Sequence, residues 1–107
     1  IDSARKFVES LKWYYPDTKF VIMISMLKSK KLDEFVKEIA QIADKIIYTQ
    51  LADASRSYEV DEFKAVMKPY DCDFEVFKDP KQAYLRLLGY NKPSIVCGSL
   101  YLLCYLK

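Results

Sequence analysis

The chain has 107 residues, 51% of them hydrophobic and 30% charged, with a formal net charge of +2. That length and balance suit one ordinary globular domain with a real core, and the charge is too small to argue for nucleic acid or a membrane surface as partner. Histidine is absent, which excludes histidine bases, nucleophiles and metal ligands within the chain.

The predicted elements alternate from the start. Asp2 or Ser3 caps a first helix, with Ala4, Phe7, Val8, Leu11 and Tyr14/Tyr15 on its inner stripe, and Pro16-Asp17 ends it. Residues 20–26 (FVIMISM) form a continuous apolar run, expected as a strand buried on both faces. A second helix begins between residues 29 and 33. Leu32, Phe35, Val36, Ile39 and Ile42/Ala43 form its stripe, and Asp33 and Glu34 sit in the first turn, where the helix dipole favours them. Residues 45–49 (KIIYT) read as a strand and residues 50–57 as a polar loop. The third helix spans 60–68 with Phe63, Val66, Met67 and Tyr70 inward, and Pro69 stops it. Residues 74–77 (FEVF) give a third strand. Asp79-Pro80-Lys81-Gln82 then combines an N-cap acid, proline at the first helical position and a glutamine that completes a capping box. Ala83, Tyr84, Leu87 and Leu88 face inward on that helix, and Gly89 supplies its C-cap. Residues 94–97 form a fourth strand, and residues 99–107 a last helix, apolar nearly all round and therefore buried.

Strands alternating with helices over short connections demand right-handed crossovers. The expected fold is α/β: a Rossmann-like three-layer domain with a mostly parallel sheet and helices on both faces, spanning 1–107 as a single domain. Cys72, Cys97 and Cys104 show no CxxC spacing, and two lie in apolar runs. They read as reduced, buried thiols of a cytoplasmic protein. No apolar run reaches about 18 residues, so no membrane span is expected.

Ligands of open α/β sheets bind beyond the carboxyl ends of the strands. The turn at Gly98-Ser99 joins two apolar runs. Glycine there permits a sharp turn and close backbone approach, and a following helix offers free N–H groups to a carboxylate or phosphate. The alternative is a turn glycine beside a capping serine. Arg56, in the polar loop Ala54-Ser55-Arg56-Ser57, can clamp a carboxylate or phosphate through two parallel bonds; the alternative is a surface arginine. Lys28 and Lys30, in the basic run 28–31, can touch a phosphate or simply form a solvated helix start. The acids at Asp33/Glu34, Glu59/Asp61/Glu62 and Asp79 all fall at helix starts, where capping explains them. Neither G-x-x-x-x-G-K-[ST] nor G-x-G-x-x-G occurs, so the chain holds no nucleotide by those routes alone.

The terminal strand followed by Cys-Gly-Ser-Leu-Tyr-Leu, residues 97–102, resembles the closing V-x-G-S-L-Y-L element of folylpolyglutamate synthases, some of which are also dihydrofolate synthases, in the Mur ligase superfamily. Other segments agree in order. Asp2-Ser3-Ala4-Arg5 resembles the stretch just after the family's D-G-A-H-N motif. Residues 43–49 (ADKIIYT) resemble its A-D-x-V-I-L-T strand, and Asp79-Pro80 with Ala83 its D-P-x-x-A-L helix. Arg56 falls where many members carry arginine. Lys28-Ser29-Lys30 stands at a D-K-D-like turn but lacks its acids, and the D-G-A-H-N motif with its strand is missing.

The resemblance covers the whole chain and implies the carboxy-terminal domain of such an enzyme, cut just after that motif. It implies a parent that uses ATP and magnesium to join L-glutamate to a folate through an acyl phosphate, in a cleft shared with an amino-terminal ATP-binding domain. Gly98, Ser99 and Arg56 would then contact substrate, and Lys28 and Lys30 would lie near the nucleotide. Residues 1–107 alone would bind no cofactor and catalyse nothing, and a sheet edge bared by the missing strand would invite self-association. Two other readings remain: a non-catalytic α/β binding or regulatory module, and a Mur ligase acting on a cell-wall precursor.

Overall fold

The computed structural model describes residues 2–26, 28, 31–50, 56–97 and 104–106. Nine elements follow one another among these residues: α1 (Asp2–Tyr14), β1 (Phe20–Ile24), α2 (Leu32–Ile39), β2 (Ala43–Thr49), α3 (Val60–Met67), β3 (Asp73–Phe77), α4 (Pro80–Gly89), β4 (Ser94–Cys97) and β5 (Cys104–Leu106). They build one five-stranded sheet in the order β3-β2-β1-β4-β5. The first four strands run parallel, and β5 joins β4 antiparallel.

β1 lies at the centre because its sequence has nothing polar to turn to water. Ile22 pairs with Ile46 of β2 on one side and Ile95 of β4 on the other. Phe20, Val21, Ile22 and Ile24 are all buried. Even positions of β1 face one layer and odd positions the other. Phe20, Ile22 and Ile24 join Ile46, Tyr48 and Ile95 beneath α1, α2 and α3. Val21 and Ile47 meet Ala83 and Leu87 of α4 on the opposite face. The expected three-layer α/β domain is therefore the one that forms.

Helix ends follow local chemistry. The Asp79 carboxylate accepts from the Lys81 N–H at 3.0 Å, with Pro80 at the first helical position. In α3 the Glu62 carboxylate accepts from the Glu59 N–H at 2.9 Å, the return arm of a capping box. Capping thus accounts for these acids, as their positions predict.

Four expectations need correction. Residues 104–106 are a strand, not part of a last helix: an apolar run without clear period suits either state, and here β4 offers an unpaired edge that β5 fills. The rest of that expected helix, 99–103 and 107, lies outside the described residues. Cys97 is disulfide-bonded rather than reduced. Antiparallel pairing sets the Cys104 backbone directly across from it, while Cys72 is a free thiol. Gly89 is the last residue of α4 and Tyr90 its C-cap, so the glycine does not make the expected turn. The inner stripes of α1 and α4 are also narrower than periodicity predicts. Tyr14, Tyr15, Tyr84 and Leu88 are exposed, and the buried side chains among the described residues are Val8 and Leu11 on α1 and Ala83 and Leu87 on α4.

Candidate functional site

From β1 the chain steps to β2 and β3 on one side, then returns to β4 on the other. The β1/β4 boundary is therefore the topological switch point, the place where open α/β sheets bind ligands beyond the carboxyl ends of the strands. Ile24 and Cys97, the last residues of β1 and β4, are paired neighbours. The two strands thus end side by side.

The β1 side of this boundary is held by the segment that precedes α3. The Lys28 N–H donates to the Arg56 carbonyl at 3.0 Å, and the Tyr58 N–H donates to the Met26 carbonyl at 3.1 Å. These two bonds place Lys28 and Arg56 next to each other at the carboxyl edge of the sheet. Both side chains reach solvent. Lys28 Nζ lies 4.0 Å from Glu62 Oε1, a half-exposed pair that leaves the ammonium available.

Beneath these cations sits a buried polar layer. Thr49, Gln50 and Ser57 are nearly inaccessible. The Gln50 N–H donates to the Phe77 carbonyl at 3.3 Å, and its side-chain Oε1 accepts from the Val60 N–H at 3.4 Å. The Tyr48 hydroxyl donates to the Tyr58 carbonyl at 2.6 Å. Its ring stacks on Phe63, with centroids 4.6 Å apart and planes 9° apart. Burial pushes the Tyr48 phenol well above its ordinary range, so it acts as a donor and not as a base.

A cleft of about 190 Å³ adjoins this layer, lined by Gln50, Glu59, Val60, Asp61 and Lys78. A larger hollow of about 420 Å³ lies on the outer face of α1, against Lys6, Glu9, Ser10, Trp13 and Tyr14. It is remote from the strand ends. Among the described residues no group of three or more His, Cys, Asp or Glu side chains could hold a metal. No helix among them is long and apolar enough to cross a membrane. The arrangement offers two exposed cations side by side, which can attract and orient an anion.

The structure thus brings together two of the residues singled out from sequence, Lys28 and Arg56. Gly98, Ser99 and Lys30 lie outside the described residues. Sequence reasoning missed Tyr48, Gln50 and Ser57. The available signal was polarity at the end of a buried strand: residues 48–50 (YTQ) end an otherwise apolar run.

No family model matches the chain, and no curated protein sequence matches it. Its fold is similar to that in the crystal structure of Helicobacter pylori folylpolyglutamate synthetase, with a TM-score of 0.68 and 15% sequence identity. The likeness covers 91% of this chain and 23% of that one, so this chain spans about a quarter of its structural neighbour. At that identity the finding is one of shared fold.

Proposed function

We propose that this chain is the carboxy-terminal domain of an ATP-dependent, amide-forming ligase of the folylpolyglutamate synthase type. The observation that carries the proposal is the conjunction of two things. The Gly-Ser-Leu-Tyr-Leu run directly follows β4 at the switch point. The fold likeness to a folylpolyglutamate synthetase extends over nearly the whole chain.

On this reading the domain closes over a cleft whose other wall belongs to an amino-terminal ATP-binding domain. ATP supplies the phosphoryl group that turns the terminal folate carboxylate into an acyl phosphate. The amine of L-glutamate then bonds to that carbonyl carbon as phosphate leaves and the nitrogen gives up a proton. Gly98 and Ser99 hold the incoming glutamate or the folate tail, and Arg56 faces the same cleft. Lys28 and Lys30 lie on the phosphate side, where exposed cations fit a polyphosphate. On this reading the carboxylates that hold magnesium belong to the amino-terminal domain. The contribution of this chain is positioning and charge, consistent with the absence of histidine.

The test is phosphate release by the parent chain with ATP, magnesium, tetrahydrofolate and glutamate, repeated with Ser99→Ala and Arg56→Ala. Release that requires both folate and glutamate, and is weakened by either substitution, is expected. The 107-residue chain alone is expected to be inactive. Release that ignores folate but requires a cell-wall precursor would move the assignment to that branch of the superfamily. Release that depends on neither acceptor would leave a binding module.

A further inference from the structure

We infer that Tyr48 is a positioning residue for the switch-point cations: its buried hydroxyl latches the 56–58 segment so that Arg56 stays beside Lys28. The inference rests on the reading of Arg56 and Lys28 as ligand contacts, but its geometry stands apart from that reading.

A tyrosine inside a buried strand is usually there for its ring, and the Tyr48 ring is fully used. It is 0% exposed and stacks on Phe63, which packs edge-on against Phe74 at 5.6 Å. Phenylalanine would fill that space as well. What phenylalanine lacks is the hydroxyl, and here the hydroxyl is placed where three chain segments meet. It donates to the Tyr58 carbonyl at 2.6 Å, and the Met26 backbone and the Ser57 side chain also lie against it. Met26 is the last described residue before the β1 turn, and the Tyr58 N–H returns to its carbonyl.

Tyr48, Tyr58 and Met26 therefore close a small hydrogen-bonded knot between the ends of β1 and β2. Ser57, inside it, is 0% exposed. Arg56 is the residue on the outer side of the knot, and its carbonyl receives the Lys28 N–H. Opening the segment far enough to swing Arg56 away must break the Tyr48 bond. It also exposes the Tyr58 carbonyl, whose buried partner is then lost. The knot fixes the backbone from which the Arg56 side chain projects, and so limits where its guanidinium can reach.

The test is amide hydrogen exchange on the 107-residue chain with Tyr48→Phe, which keeps the ring and removes only the hydroxyl. Leu87→Ala serves as the control, since it destabilises the opposite face of the sheet without touching the knot. The Lys28 and Tyr58 amides are expected to exchange roughly tenfold faster in Tyr48→Phe and to stay unchanged in Leu87→Ala. Unchanged exchange of these two amides in Tyr48→Phe overturns the inference. So does equal acceleration in both variants, because Tyr48 would then support only global stability.

Titration with pyrophosphate, followed at the Lys28 side-chain resonances, separates the two readings. Weaker binding in Tyr48→Phe, with no further loss when Arg56→Ala is added beyond that of Arg56→Ala alone, supports positioning through Arg56. Additive losses overturn it. An accelerated knot in a chain that binds no pyrophosphate would uphold the latch and count against the anion reading of the site.

Discussion

The second layer of this domain rests on one helix, and Leu87→Ala should show how much. On the face opposite α1–α3, α4 contributes two fully buried side chains, Ala83 and Leu87, against Val21 and Ile47 of the sheet. Met23, Phe77, Tyr90 and Val96 pack around them and are only partly covered. Truncating Leu87 removes the equivalent of three methylenes, about 2.4 kcal/mol of transfer free energy. The void adds to this, because the sheet side of the contact cannot collapse, so about 3 kcal/mol is expected. A domain of this size has a total stability of about 5–15 kcal/mol. Urea unfolding followed by far-UV circular dichroism measures the change directly. With a slope of about 1.5 kcal/mol/M, the midpoint should fall by about 2 M. Leu88→Ala is the matched control: the same chemistry, one position along, at a side chain 50% exposed. It should cost less than about 1 kcal/mol. If Leu87→Ala costs no more than Leu88→Ala, the layer is not held by this contact and the reasoning fails.

Three further outcomes are expected. Glu75 receives Arg86 through two bonds of 2.9 Å, with Lys45 Nζ at 3.7 Å, and the Arg86 hydrogen bonds hold its carboxyl below the ordinary glutamate value of 4.5. A lowered value means the pair stabilises the fold above that range and loses its effect as pH falls through it. The urea midpoint of Glu75→Gln should therefore lie below wild type at pH 7 and converge with it in acid; a gap independent of pH would refute this. Asp79→Ala removes the N-cap bond of α4 and should cost about 1 kcal/mol, largely recovered by Asp79→Ser, as read from thermal unfolding. Finally, β3 is an edge strand in the described sheet. The Phe77 carbonyl points to β2, so alternation turns the N–H and C=O groups of Phe74 and Val76 outward. Concentration-dependent sedimentation is expected, abolished by proline at Val76; a monomer at all concentrations counts against it.

Much of the fold was legible because its signals are local. The run at residues 20–26 had no polar face to present, and β1 is the central strand. Asp79-Pro80 announced a helix start, and both residues serve there as expected. Strand order was not legible. Crossover handedness fixes which way a helix passes, but whether the fourth strand extends the row or returns beside the first depends on contacts far apart in sequence. The end of the chain misled for a related reason. Cys104-Tyr105-Leu106 has no period of its own, and what decides its state is the open edge of β4. At the site, Lys28 and Arg56 could be picked out singly as loop cations. Their proximity comes from two backbone bonds that no spacing encodes. Tyr48 was invisible for the opposite reason, since a strand tyrosine among nine tyrosines reads as packing.

The strand order also limits what chemistry this domain can contribute. Helices α2 and α3 pass over one face of the sheet and α4, which leads into β4, over the other, so the strand order reverses between β1 and β4. Positive charge stands at this edge of the sheet through Lys28, which follows β1, and Arg56, which follows β2. Among the described residues the neighbouring titratable groups include Glu62, which pairs with Lys28, Tyr48, which burial keeps protonated, and Glu59, Asp61 and Lys78 around the adjoining cleft. A site of this kind can hold an anion still and lower the cost of its charge, but it needs a second surface to bring a reaction partner within bonding distance. Loss of Arg56 should then act on binding and alignment together, and rescue by lysine should be partial, because a point charge replaces a fork.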